Sequence, residues 1–245
     1  MKKLISIFLI TTLSFSVSLP ILANNVSGDS LTDINKPVES QIKDIIENDS
    51  LTPEQKEFHI DRMTWATSRK NTRNSMIFDA SLNVPYFKQE TTYWCGPATA
   101  RQTIQFLNRT TPASQSQIAT SMGSTTAGSD MDQVINYINR NTNYNYIKAS
   151  ANNKENMRMN FYWAMTETIA PPILRIRINN RVGNWTYTTQ GHFLNATGIS
   201  RTGNMVRVTD PYIGWINPSS SGSYWVTFDE VHAATVAHTN QHYAW

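Results

Sequence analysis

The sequence predicts an α+β fold, with helices first and an antiparallel sheet after them, on three observations. Between residues 98 and 168 apolar side chains recur at three- and four-residue spacing, as on one face of a helix. After Pro171-Pro172 the pattern becomes short alternating or continuous apolar runs separated by Asn/Gly turns. The chain's single cysteine, Cys95, stands directly before the first of the helical runs.

In chain order, Leu82 to Phe87 reads as a strand leading to Cys95. From Gly96 a helix follows, with Ala100, Thr103, Ile104 and Leu107 on one face. Ser114 to Met122 opens on a capping box, Ser114 with Gln117, and Asp130 to Asn139 aligns Met131, Val134, Ile135 and Ile138. The polar loop Gly123 to Ser129 between them is of the kind that borders a site. Tyr144 to Ala149 reads as a strand and Asn153 to Thr168 as a helix. Strands follow at Ile173 to Ile178, His192 to Ile199 and Met205 to Thr209. Another pair is expected near Trp215 and at Tyr224 to Thr227, and a short helix at Phe228 to Ala233. There is no internal repeat.

The N-terminal third is read separately. Residues 1–23 carry Lys2-Lys3, a short apolar run and Ala23, the pattern of a secretory signal peptide cleaved after Ala23. Thr11, Thr12, Ser14, Ser16, Ser18 and Pro20 interrupt the ~20 apolar residues that a membrane anchor needs. The mature protein is therefore expected outside the cytoplasm, with no stable membrane insertion. Residues 24–79 form an extension: a polar start, a helix at Val38 to Glu47, a second helix opened by the capping box Thr52-Pro53-Glu54-Gln55, and a linker at Ser68 to Ser75. It is read as a helical extension, with an inhibitory pro-segment as the alternative. Residues 80–245 are the main domain.

The formal charge is +3, and loss of Lys2 and Lys3 leaves +1, too little for an electrostatic footprint on nucleic acid. With one cysteine no internal disulfide can form. A free thiol in an oxidising compartment is a chemical liability, which favours its being used.

The chemistry starts from that thiol. An ordinary thiol has a pKa of about 8.5 and attacks a carbonyl only as thiolate. A helix N-terminus at Gly96 favours the anion, and an imidazole at His192 can hold the proton and deliver it to a leaving amine. If the strands around Thr202-Gly203-Asn204 pair, His192 begins one and Asp210 ends the next, so the carboxylate reaches the imidazole at one rim of the sheet. The amide of Gln89, six residues before Cys95, and the Cys95 backbone N–H are the candidate oxyanion donors. His59, His232, His238 and His242 lack such settings. A zinc site from His238 and His242 would need a helical tail, and no metal or cofactor is expected.

The stretch Val84 to Gln105, with Gln89 and Cys95-Gly96-Pro97-Ala98, followed by Gly191-His192-Phe193 and Asp210-Pro211, resembles the free-standing C39-like branch of the double-glycine (bacteriocin leader) cysteine peptidases, over roughly residues 80–235. The resemblance implies a papain-like fold, Cys95 as nucleophile, His192 as base, Asp210 as orienting acid and Gln89 as oxyanion donor. It implies hydrolysis of a peptide or protein substrate by a monomer. The export signal separates this chain from transporter-fused members that trim leaders at the cytoplasmic face. Three alternatives stand beside it: an acyl transferase of transglutaminase-like or phytochelatin-synthase-like type, a cell-wall peptide amidase, and a peptide-binding pseudoenzyme.

Overall fold

The computed structural model describes residues 80–180 and 183–245, together with scattered positions between 42 and 60. The expected signal peptide and the Ser68 to Ser75 linker lie outside the described residues. Of the two expected N-terminal helices only single positions are described, with Ile42, Lys43 and Ile46, then Pro53, Lys56, Glu57 and Ile60, in helical conformation. Among the described residues no helix is long and apolar enough to cross a membrane.

Six helices and seven strands make up the main body: β1 (Ala80–Ser81), α1 (Cys95–Asn108), α2 (Gln115–Met122), α3 (Met131–Asn141), β2 (Lys148–Ser150), α4 (Lys154–Thr166), β3 (Ile173–Ile178), β4 (Thr189–Ile199), β5 (Met205–Thr209), α5 (Ile213–Ile216), β6 (Ser223–Thr227), α6 (Phe228–Ala237) and β7 (His242–Ala244). The strands form one antiparallel sheet in the order β2-β7-β3-β4-β5-β6, and β1 pairs with the far end of β4. This is the α+β arrangement expected from the sequence, with the cysteine-bearing helix packed on an antiparallel sheet.

The helices begin where their capping residues stand. Ser114 with Gln117, Asp130 with Gln133, and Thr227 with Glu230 each form a reciprocal capping box, so two otherwise orphaned N–H groups are satisfied at each start. Helix α1 differs. Its N-cap, Trp94, makes no side-chain cap hydrogen bond, so the first-turn N–H groups of this helix are left for other partners.

Two apolar clusters sandwich the sheet. The larger joins α4 and α6 to the strands through Phe161, Phe228 and Tyr243, which meet edge to face at 5.6 and 5.8 Å. The smaller joins α1, α2 and α3 through Ile104, Ile118, Val134 and Ile138, with Cys95, Ile173 and Phe193. Cys95 thus begins a helix whose buried face is set by packing, which fixes its height over β4.

Two polar features hold α1 in place. Asn195 on β4 accepts from Thr103 Oγ1 at 2.9 Å and donates to Gln102 Oε1 at 3.0 Å. At Gly198 an added Cβ would lie 3.1 Å from the Ala80 carbonyl oxygen, so the glycine lets β1 approach the bulged end of β4.

Four elements differ from expectation. Leu82 to Phe87 has no ladder past Ser81 and turns where the Val84 N–H donates to the Leu82 carbonyl; Gln102 Nε2 rather than a strand reaches the Phe87 carbonyl. The strand expected at Tyr144 to Ala149 shrinks to Lys148–Ser150, because the Asn139 side chain takes the Tyr146 N–H and carbonyl. Near Trp215 one helical turn replaces a strand, since Asp210 Oδ1 accepts from the Tyr212 N–H and turns the chain. The C-terminal tail is strand β7 between β2 and β3, which removes the helical spacing proposed for a His238–His242 zinc site.

Candidate active site

Cys95 is the first residue of α1 and only 8% exposed. Burial by itself raises its thiol. His192, as hydrogen-bond partner and as nearby positive charge, with the backbone N–H groups of Phe193 and Gly96, outweighs burial and holds the thiol below its usual value. The uncapped helix start therefore has a use: one of its free N–H groups serves the sulfur. The next residue must be small, because a Cβ on Gly96 would lie 2.7 Å from Ser129 Oγ. That contact brings the end of the Gly123 to Ser129 loop against the cysteine's turn.

His192 is the fourth residue of β4 rather than its first, because the strand begins at Thr189. Its Nε2 lies 2.8 Å from Asp210 Oδ1, and both side chains are buried. Nε2 being engaged, Nδ1 is the ring nitrogen left to serve Cys95. Burial would lower the imidazolium pKa, but the charge and hydrogen bond of Asp210, then those of Cys95, raise it to about 10. Both shifts favour the thiolate–imidazolium form of the pair over the neutral one.

Asp210 follows the last residue of β5. Asn195 pairs with Thr209 across the β4–β5 hairpin, so antiparallel pairing sets His192 and Asp210 near one rim, as the spacing suggested. Burial raises the carboxyl, and His192, Tyr187 and Tyr224 overcome this and hold it below the ordinary range. Tyr187 Oη donates to Oδ2 at 2.6 Å and Tyr224 Oη at 2.7 Å. Both phenols are raised by burial and by the neighbouring carboxylate, so they stay protonated and keep donating. The Tyr187 ring also meets the His192 ring edge-on at 5.8 Å, and Tyr212 covers both.

Sequence reasoning missed these tyrosines. Tyr224 had a readable signal: β5–β6 pairing sets it opposite Val208, two residues before Asp210. Tyr187 lies outside any strand, and no periodicity marks it.

Replacing both Tyr187 and Tyr224 with Phe is expected to cost about 1–3 kcal/mol for each lost bond to the buried carboxylate. With fewer donors Asp210 becomes easier to protonate, so the acid limb of the kcat/KM profile moves to higher pH. Urea unfolding and a pH–rate profile check this, and an unmoved midpoint and limb would contradict it.

Gln89 is buried in the segment before α1. Its Nε2 donates to the Thr91 carbonyl at 2.7 Å, which spends one of two amide hydrogens, and its Oε1 is buried without a partner among the described residues. Its backbone N–H donates to the Pro211 carbonyl at 2.9 Å, tying Gln89 to the residue after Asp210. Cys95, His192 and Asp210 thus form one connected series, and Gln89 joins it through the backbone.

The remaining histidines stand apart. His238 ends α6 and is lowered to about 4 by burial and by Arg175, Arg177 and His242; His242 is lowered by burial and Lys148. Nearby cations are a poor setting for a metal ion. Among the described residues no group of three or more ligating side chains is assembled.

A family model described as the Peptidase_C39 like family matches residues 81–237. The chain belongs to that family. It is a cysteine peptidase of the Peptidase_C39 like family, and the match spans every residue of the site above. Two solved structures are similar to it. A double glycine motif protease from an AMS/PCAT transporter, in complex with the leader peptide, is 16% identical, covers 67% of this chain and 91% of its own, and has a TM-score of 0.44. The peptidase domain of Streptococcus ComA, a bi-functional ABC transporter of a quorum sensing pathway, is 13% identical over 66% of this chain and 97% of its own, with a TM-score of 0.45. No curated protein matches this C39-like chain.

Proposed function

We propose that this C39-like chain is an exported peptidase that hydrolyses peptide bonds outside the membrane, with Cys95 as nucleophile, His192 as general acid and base, Asp210 as the orienting carboxylate and Gln89 as an oxyanion donor. The observation that carries the reading is the buried series from thiol to imidazole to carboxylate, in which His192 depresses the thiol and Asp210, then Cys95, raises the imidazolium. Export rests on the signal-like residues 1–23.

The Cys95 thiolate attacks the carbonyl carbon. The carbonyl oxygen becomes an anion, met by the Cys95 backbone N–H and the free amide hydrogen of Gln89. The C–N bond breaks as His192 passes its proton to the leaving amine, which leaves a thioester on Cys95. Water then gives a proton to His192 and attacks the thioester, releasing acid and restoring the thiolate–imidazolium pair. Asp210 keeps the imidazole oriented throughout and stays ionised.

Intact mass spectrometry of protein released by an exporting host tests both parts. The expected product starts at Asn24, and brief iodoacetamide treatment labels Cys95 rapidly well below pH 8. The His192→Ala variant should react only as pH approaches the ordinary thiol value of about 8.5. Equal rates in both proteins at pH 6 would reject the pair, and retention of residues 1–23 would reject export.

A further inference from the structure

The segment Phe87 to Glu90 has no strand beside it, yet five of its backbone groups are hydrogen-bonded. Gln102 Nε2 donates to the Phe87 carbonyl at 3.1 Å. Gln115 Nε2 donates to the Lys88 carbonyl at 2.7 Å, and Gln115 Oε1 accepts from the Glu90 N–H at 3.0 Å. The Gln89 N–H goes to the Pro211 carbonyl at 2.9 Å, and the Gln89 carbonyl accepts from Trp215 Nε1 at 3.0 Å. Gln115 therefore grips the two peptide groups that flank Gln89, in the pattern one residue of a neighbouring strand would use.

Gln115 is the first residue of α2 and is 1% exposed. The Ser114–Gln117 capping box fixes this helix start, and α2 packs on α1, whose first residue is Cys95. One rigid unit thus carries the nucleophile and the clamp. A buried glutamine with both amide ends on main chain is costly to place unless both bonds form, and here both form around one residue.

We infer that Gln115 is a positioning residue for the oxyanion donor: it holds the backbone of Gln89 so that the free hydrogen of the Gln89 amide meets the developing negative oxygen. The inference rests on Gln89 being that donor. The donor must sit within a few tenths of an ångström of the oxyanion to act, and its own side chain has one anchoring bond, to Thr91. The backbone clamp supplies the rest.

The test is a double-mutant cycle on a quenched peptide chosen from a mixed-peptide digest by the wild-type enzyme. Gln115→Met fills the same space without either bond. It is expected to lower kcat ~10-fold with KM within about 2-fold, because a misplaced transition-state donor affects the chemical step. Gln89→Ala should lower kcat ~100-fold, and adding Gln115→Met to it should change nothing further. Iodoacetamide labelling of Cys95 should be as fast in Gln115→Met as in wild type, since the thiolate pair is untouched.

Unchanged kcat in Gln115→Met would overturn the inference. So would an equal fold-loss in the Gln89→Ala background, or a parallel fall in labelling, either of which marks general loosening of the domain. Full kcat in Gln89→Ala itself would instead remove Gln89 as donor, and the inference with it.

Discussion

Cys95→Ala is expected to lower peptide cleavage by ~10⁴-fold or more while unfolding within about 1 kcal/mol of the wild type. The side chain is small, so its removal leaves a minor void at the buried start of α1. Asp210 still balances the His192 charge, which spares the variant an unpaired buried ion. What disappears is the atom that forms the thioester. Initial rates on a quenched peptide and a urea titration check the two halves. Residual turnover near the wild-type value would remove Cys95 from the chemistry, and collapse of the fold would make it a core residue first.

Asp210 should give the opposite balance, with stability failing first. Asp210→Ala strips the imidazolium of its counter-charge and leaves the hydroxyls of Tyr187 and Tyr224 and the Tyr212 N–H facing a void. Breaking a buried pair in this way costs about 3–5 kcal/mol, so this variant is expected to be poorly folded at 37 °C. Asp210→Asn keeps an oxygen for His192 Nε2, and the phenols can turn to accept from its amide, so it should fold. Its turnover should fall between about 10²- and 10⁴-fold, with Cys95 alkylation shifted toward the ordinary thiol range, because the imidazole loses charge support.

The pH dependence of stability separates wild type from Asp210→Asn. The depressed carboxyl stabilises the wild type above its unfolded pKa of about 3.9, and that contribution is lost as pH falls through the lower folded value. The raised imidazolium contributes fully below about pH 6.5 and is lost as pH climbs through its folded value of about 10. In Asp210→Asn the acid window closes and the alkaline one shrinks, so its stability should vary less from pH 3 to 10. Urea midpoints across that range report it; identical profiles would mean that the pair contributes no linkage.

Strong local signals were the legible ones. Ser114 and Gln117 announce α2, Ile173–Ile178 and Met205–Thr209 were bounded correctly, and the His192–Asp210 relation followed from a hairpin read off Thr202-Gly203-Asn204. The failures share a physical cause. At Tyr146 and Phe87, side-chain amides of Asn139 and Gln102 take backbone bonds that a strand would otherwise supply. Such substitutes come from distant positions and carry no period. Strand β7 was hidden differently, since His242–Ala244 is too short to alternate and is held by neighbours on both sides. At the site, Cys95, His192 and Asp210 could be named because Cys95 opens a helix and Asp210 follows a strand paired with the one that bears His192; the phenols behind Asp210 could not, because they reach the carboxylate from 14 and 23 residues away.

The pairing of Cys95 with His192 also bears on how the enzyme ages. The thiolate, which this pairing favours, is the form that peroxide attacks. Repair within a protein normally proceeds by condensation of the resulting sulfenic acid with a second thiol, and this chain has one cysteine. Burial of Cys95 hinders the approach of bulky oxidants and other protein thiols more than that of peroxide. Working life is thus set by the supply of small oxidants against small thiols from the surroundings, and each molecule carried past the sulfenic stage is lost for good.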